Sequence, residues 1–251
     1  MDYPVKYHRP ITVIGSLKNL FHEKHLEAVL KARPIGDKNG PFLEEAFKDA
    51  CIHFSHFMDA ADFKVIELHQ VYKLLLRGAA LSCRQNQRSV DFLTPILFGP
   101  PEWTSISSSV SSVLQAQIKN RNDSEDIIIP PTLVNSENDH PVLSIIHELG
   151  SGKQGVKCTE LEELGTTQSG SDPDWRHYQI VAYGCSSETY RVIPKDSDAA
   201  YTMLLGSNML MEDFPRGDIP ECAATFEQSN PCSELEHTGA RVCQWFGKDV
   251  K

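Results

Sequence analysis

Apolar and polar residues alternate along "VLQAQIKN" (113–120), so Leu114, Ala116 and Ile118 fall on one face of a strand and Gln115, Gln117 and Lys119 on the other. Upstream, "SVDFLTPILF" (89–98) is an apolar run that reads as a buried strand, yet it carries Asp91 near its start. A buried carboxylate, amide or ammonium is costly unless it has a partner or a task. The spacing suits two neighbouring strands joined by a long hairpin. Asp91 then meets Gln117 and Lys119 at one end of a sheet.

Around these strands the pattern turns helical. "SLKNLFHEKHLEAVLKAR" (16–33) predicts an amphipathic helix with Ser16 as cap and Leu17, Leu20, Phe21, Leu26, Val29 and Leu30 at helical spacing. Pro41 predicts the start of a second helix over 41–57, striped by Leu43, Ala46, Phe47, Ala50, Phe54 and Phe57. On that helix Glu44 lies at the flank of the stripe beside Cys51, and Glu45 points away. A third helix is expected over 62–80, stopped near Gly78.

Further on, "GPPEWTSISSSVSS" (99–112) and the segment 120–141 read as loops, and "VLSIIHELGSG" (142–152) as a short helix closed by glycine. "HYQIVAYGCSSETYRVI" (177–193) predicts one or two strands, and 196–210 a last helix capped by Ser197 or Asp196. Past Phe214 the periodicity fades. The expected division is an α/β domain over 1–215 and a loose tail over 216–251.

Composition narrows the function classes. The 251 residues are 40% hydrophobic and 23% charged, ordinary values for a globular chain. A net charge of −10 argues against a protein that coats nucleic acid nonspecifically, but not against one local cationic cleft. Cys51, Cys83, Cys158, Cys185, Cys222, Cys232 and Cys243 are an odd set without a CxxC pair, which reads as reduced thiols. No secretory start and no membrane-length apolar run is visible, so the expected location is intracellular, in nucleus or cytoplasm, with no membrane partner.

An aspartate on one strand, (D/E/Q)-x-K on the next and a glutamate on a preceding helix resemble the PD-(D/E)XK nuclease superfamily. "PFLEEAF", "LLLRGAALSCRQNQRSVDFLTPILF", "VLQAQIKN" and "YQIVAYGCSSETY" resemble more narrowly a fungal family related to Crinkler-type effector nuclease domains. The likeness spans roughly residues 15–215. It implies a restriction-endonuclease-like sandwich, a central mixed β-sheet flanked by helices, and Mg²⁺-dependent hydrolysis of nucleic-acid phosphodiesters.

The implied roles follow the chemistry of that reaction. A metal neutralises the scissile phosphate and lowers the pKa of the attacking water. Asp91 supplies a hard oxygen ligand, the Gln117 side-chain carbonyl a second and the Ile118 backbone carbonyl a third. Lys119 orients the water and offsets phosphate charge, and Glu44 completes the set as a metal or water ligand. Arg84, Gln85, Gln87 and Arg88 in "CRQNQR" are suited to phosphate oxygens, with Gln87 in the family's recurrent "NQR". Two positions depart from the pattern: Val90 stands where the superfamily has proline, and Gln117 where a carboxylate is commoner. The second removes a charge and weakens metal affinity.

Rival readings use other residues. The pairs His22/His25 and His53/His56 sit three apart on expected helices, but no third zinc ligand accompanies them. Cys185 in "GCSSE" has no ordered histidine partner and reads as a packed thiol. The alternative from another class is a noncatalytic protein-interaction module, with protein partners, on the same scaffold.

Overall fold

The computed structural model of the chain describes residues 10–35, 37–60, 68–83, 90–99, 106–120, 140–158 and 176–206. Its strands are β1 (Ile11–Thr12), β2 (Ala50–Ile52), β3 (His56–Asp59), β4 (Ala79–Ser82), β5 (Phe92–Phe98), β6 (Ser111–Lys119), β7 (Val142–Glu148), β8 (Gly155–Cys158) and β9 (His177–Tyr183). The helices are α1 (Val13–Leu20), α2 (Glu23–Leu30), α3 (Leu43–Ala46), α4 (Leu68–Arg77) and α5 (Asp198–Gly206). Contacts divide the chain between Leu205 and Gly206, ten residues before the expected boundary. The tail expected over 216–251 lies outside the described residues.

The strands form one mixed sheet in the order β1-β2-β5-β6-β7-β9-β8, with β3 and β4 joined to it through β5. β5 and β6 pair antiparallel, whereas β6, β7 and β9 run parallel. Two short strands share one side of β5: β4 pairs with Phe92 and Leu93, and β2 with Ile96, Leu97 and Phe98. Pro95 sits where one partner gives way to the other, so no neighbour there requires the N–H that proline lacks.

Helices cover both faces. On one, Val13, Leu17, Val29 and Leu43 from α1, α2 and α3 pack with Ile96, Leu143, Ile145, Tyr178 and Ile180. On the other, Val71 of α4 packs with Leu81, Leu93, Val113 and Val142. Burial of such side chains contributes about 1.5–3 kcal/mol each, which makes these two layers the main source of stability. The chain is therefore a mixed α/β protein, and no helix among the described residues is long and apolar enough to cross a membrane.

Three segments depart from the sequence expectation. The helix expected over 16–33 is two helices, α1 and α2, with Thr12 rather than Ser16 capping the first through a 3.0 Å bond to the Gly15 N–H. The break falls at Phe21–His22 because the His22 N–H donates to Thr189 O at 3.0 Å instead of continuing the helix. The helix expected over 41–57 survives as the single turn α3. Its continuation forms β2, fully buried between β1 and β5, and then β3. "VLSIIHE" is not helix but β7, an interior strand between β6 and β9.

Candidate functional site

At the start of β5 the backbone of Asp91 is held on both sides. Its N–H donates to Ala116 O at 2.8 Å, and its C=O accepts the Cys83 N–H at 2.7 Å. The carboxylate Oδ2 accepts the Ile118 N–H at 2.6 Å. With Phe92 opposite Ala116, a longer ladder would offer that N–H a main-chain carbonyl; the Asp91 side chain takes that place where the ladder stops. The charge reaches Cys83, whose half-buried thiol is pushed up to about 11 by desolvation first and by Asp91 second.

Asp91 precedes β5, and its neighbour Val90 packs with Ile146 and Val181 on the sheet face that carries Gln115, Gln117 and Lys119. Asp91 and the segment Gln117–Lys119 lie at the same end of the β5–β6 pair, joined by the Asp91–Ile118 bond. Gln117 Oε1 is buried and finds no hydrogen-bond partner among the described residues. The Ile118 carbonyl emerges on the β5 side, the side to which its N–H also points. Lys119 uses its own carbonyl to accept the Leu149 N–H at 2.8 Å, on the β7 side.

Glu44 is not part of this arrangement. Its helix, α3, packs on the opposite face through Leu43, and the adjoining Phe47 ring lies 5.8 Å from Phe98 and 5.5 Å from Tyr178. Phe98 is the far end of β5, roughly 20 Å along the strand from Asp91. Glu44 is exposed there. Its charge is felt by Lys31, whose ammonium is held charged chiefly by its hydrogen bond with Glu27 and to a smaller degree by Glu44. The helix expected over 41–57 placed Glu44 at a flank, and ending that helix after one turn removed the basis for the placement. Arg84, Gln85, Gln87 and Arg88 lie outside the described residues.

Glu148, a residue that the sequence reading missed, stands directly opposite Lys119 in the parallel register of β6 and β7. Only 1% of it is exposed. Tyr183 follows in the same row on β9, so Lys119, Glu148 and Tyr183 hold matching positions at the ends of three strands. The corner beyond is closed by Gly184, whose N–H donates to Glu148 O at 2.9 Å. Its φ is +72°, and a Cβ there would meet Lys153 O at 2.7 Å, so only glycine fits. The signal that could have revealed Glu148 was the β-branched pair Ile145–Ile146 within a seven-residue run, short for a helix.

A deeper polar row lies on the same face. Gln115, Ser144 and Gln179 stand opposite one another on β6, β7 and β9, each no more than 2% exposed. Ser144 Oγ and His177 Nε2 are 2.8 Å apart. Neither end of the Gln115 amide finds a hydrogen-bond partner among the described residues.

These donors bear on the cation that the resemblance implies. Among the described residues no three His, Cys, Asp or Glu side chains come together in metal-binding fashion. A cation at this sheet end would rest on Asp91 together with neutral oxygens. The orphaned Gln117 Oε1 and the Ile118 carbonyl are of the right, hard type for Mg²⁺, and a single negative charge makes the set a weak one. Three of the four paired histidines are otherwise engaged: His22 Nδ1 accepts the Lys24 N–H at 3.3 Å, His25 Nε2 lies 3.0 Å from Glu188 O, and His56 Nδ1 lies 3.1 Å from Ser55 Oγ. The Cys185 thiol is raised by burial first and by Asp198 second, opposite to the shift that activates a nucleophilic cysteine.

Compared with family models, with curated proteins and with solved structures, the chain matches none.

Proposed function

We propose that the chain is a restriction-endonuclease-like domain of the PD-(D/E)XK type, acting on nucleic-acid phosphodiesters at the joint end of β5 and β6. The observation that carries this reading is the Asp91 carboxylate seated on the Ile118 N–H, with Gln117 Oε1 orphaned next to it in sequence and Lys119 one residue further. The antiparallel β5–β6 pair followed by the parallel strand β7, with helices on both faces, supports the same assignment.

Mg²⁺, when bound, would supply charge neutralisation and an acidified water. Asp91, Gln117 and the Ile118 carbonyl would hold it. The Ile118 N–H fixes one carboxylate oxygen of Asp91, so the other is oriented without further loss of side-chain freedom. Lys119 would offset charge building on the phosphate oxygens, and Glu148, its cross-strand neighbour, would help position its ammonium. Gln87, Arg84 and Arg88 would bind the flanking phosphates.

One observation favours a degenerate site that binds without cleaving, or an interaction module on this scaffold: Glu44 lies on the opposite face at the far end of the sheet. The donor set is then one carboxylate short at Gln117 and another short at Glu44. The deciding experiment is Mg²⁺-dependent cleavage of single- and double-stranded DNA and RNA by the full chain, with Asp91→Ala as control. Cleavage lost in the variant supports the enzyme. Absence of cleavage with Asp91-dependent binding of nucleic acid supports the degenerate site.

A further inference from the structure

Among the described residues β3 pairs with β4 alone and forms an edge of the sheet. The Ala60 N–H donates to Ser82 O at 2.8 Å, so by alternation His56 and Met58 direct their main-chain groups to β4. Those of Phe57 and Asp59 point outward. Among the described residues nothing accepts or donates to these outward groups. Main-chain N–H and C=O groups in an open ladder are a template for another strand.

The side chains beside this edge are unusual for solvent. Phe57 is 53% exposed and Phe54 38%. Phe57 lies 5.3 Å from the Phe54 ring and 5.4 Å from Phe92, tilted by 58° and 63°. The rings are inclined to one another and do not cover each other as a stack would. Asp59 shares the face of Phe57 and is exposed. A second copy of this chain is a poor occupant. Pairing centred on Phe57 would set Asp59 opposite Ser55, leaving its charge unmatched, between two chains that each carry a net −10.

We propose that the β3 edge is a docking site for an extended, basic segment of a partner protein. The segment would add as a strand beside β3. Its main chain would pair with Phe57 and Asp59, an apolar side chain would lie on the Phe54–Phe57–Phe92 rings, and a Lys or Arg would stand opposite Asp59. An ammonium or guanidinium there also gains from the aromatic faces. This proposal does not depend on the nuclease reading, since it uses no residue of the Asp91 site.

The test titrates the full chain with a fluorescein-labelled octapeptide in which valine and lysine alternate at every second position with threonine between them, so that both types share one face of the strand, followed by anisotropy. A second peptide of the same sequence carries N-methyl groups on its valines and lysines, the residues whose main chain would pair with β3. Its charge is identical, so nonspecific attraction to an acidic protein cancels in the comparison. N-methylation is expected to weaken binding about ten-fold, since the ladder hydrogen bonds are lost. Asp59→Lys, a surface change, is expected to weaken the lysine peptide at least five-fold and to favour its glutamate counterpart. Equal binding of methylated and unmethylated peptides, or indifference to Asp59→Lys, overturns the proposal. So does a wild-type dimer in sedimentation that Phe57→Pro dissociates, or displacement of the peptide by single-stranded oligonucleotide.

Discussion

The carboxylate of Asp91 and the backbone N–H of Ile118 are joined by a 2.6 Å hydrogen bond at the point where the β5–β6 ladder ends. One side chain thus terminates a pair of strands and presents a charged oxygen at their open end. These two tasks are separable by substitution. Asp91→Asn keeps an oxygen able to accept the Ile118 N–H but removes the charge. Its melting temperature should stay within about 2 °C of wild type, while Mg²⁺-dependent cleavage or binding is lost. Asp91→Ala should in addition destabilise by about 1 kcal/mol, the net worth of one hydrogen bond whose donor can turn to water. Equal activity of the Asn variant would remove Asp91 from the site.

Lys119 and Glu148 are cross-strand neighbours of opposite charge, and Glu148 is buried. Truncating the ammonium leaves that carboxylate with less compensation in a poor solvent. Lys119→Met should therefore lower stability by about 1 kcal/mol, a fall of roughly 2–4 °C for a chain of this size, even though methionine is the more apolar residue. A double-mutant cycle with Glu148→Gln should return a favourable coupling of about 0.5–3 kcal/mol. Additive effects would mean that the two do not interact. A more stable Lys119→Met would show that the ammonium is a burden on the fold and not part of a positioned pair.

That pair also marks the limit of what the pattern of residues could reveal. β5 and β6 were legible because one is an apolar run of strand length opening on a charge and the other alternates strictly over "LQAQIK". α4 was legible from its periodicity and from Gly78, whose φ of +61° ends it. β7 was not. An interior parallel strand is apolar on both faces, so it loses the period of two that identifies a strand and can be taken for a buried helix. Glu148 was missed with it. The helix expected over 41–57 failed differently: Leu43, Ala46 and Phe47 do form a helical stripe, but Ala50, Cys51 and Ile52 are all buried between two strands, and that pairing prevailed over local periodicity. Glu44 was assigned to the site on the strength of that helix and moved to the other face with its loss. Burial of Gln115 between Leu93 and Ser144 follows from tertiary register and leaves no mark in the sequence.

Gln117 offers a test of the metal site that needs no catalysis. Its Oε1 is buried without a partner among the described residues, so Gln117→Glu places a carboxylate in the same poorly solvated position. Without a cation the variant should be less stable than wild type by about 1–3 kcal/mol, because a charge is desolvated unpaired near Asp91. Millimolar Mg²⁺ should restore that loss and shift its melting temperature more than that of wild type, since a second carboxylate strengthens the oxygen site. Calorimetric titration should show the same order of affinity. Equal Mg²⁺ response in both proteins would mean that position 117 does not face a cation.

The last prediction concerns pH, on the sheet face opposite the candidate site. His147 stands next to Ile118 in the parallel register, with Nδ1 2.7 Å from the hydroxyl of Tyr190 and the two rings 5.7 Å apart. Burial holds its imidazole down to about 4, against the ordinary 6.5. The folded protein thus keeps His147 neutral where the unfolded chain would protonate it. Between these two values the unfolded state binds more protons, so stability rises with pH across the window. The contribution is complete above about pH 6.5, and it is lost as pH falls towards 4, by roughly 3 kcal/mol in all. His147→Gln keeps a polar contact with Tyr190 but has no proton to gain. Denaturant titrations at pH 4.5 and pH 7.5 should show wild type losing more stability than the variant on acidification, although wild type is the more stable at neutral pH. Parallel pH profiles for the two proteins would place the acid sensitivity elsewhere, among the carboxylates.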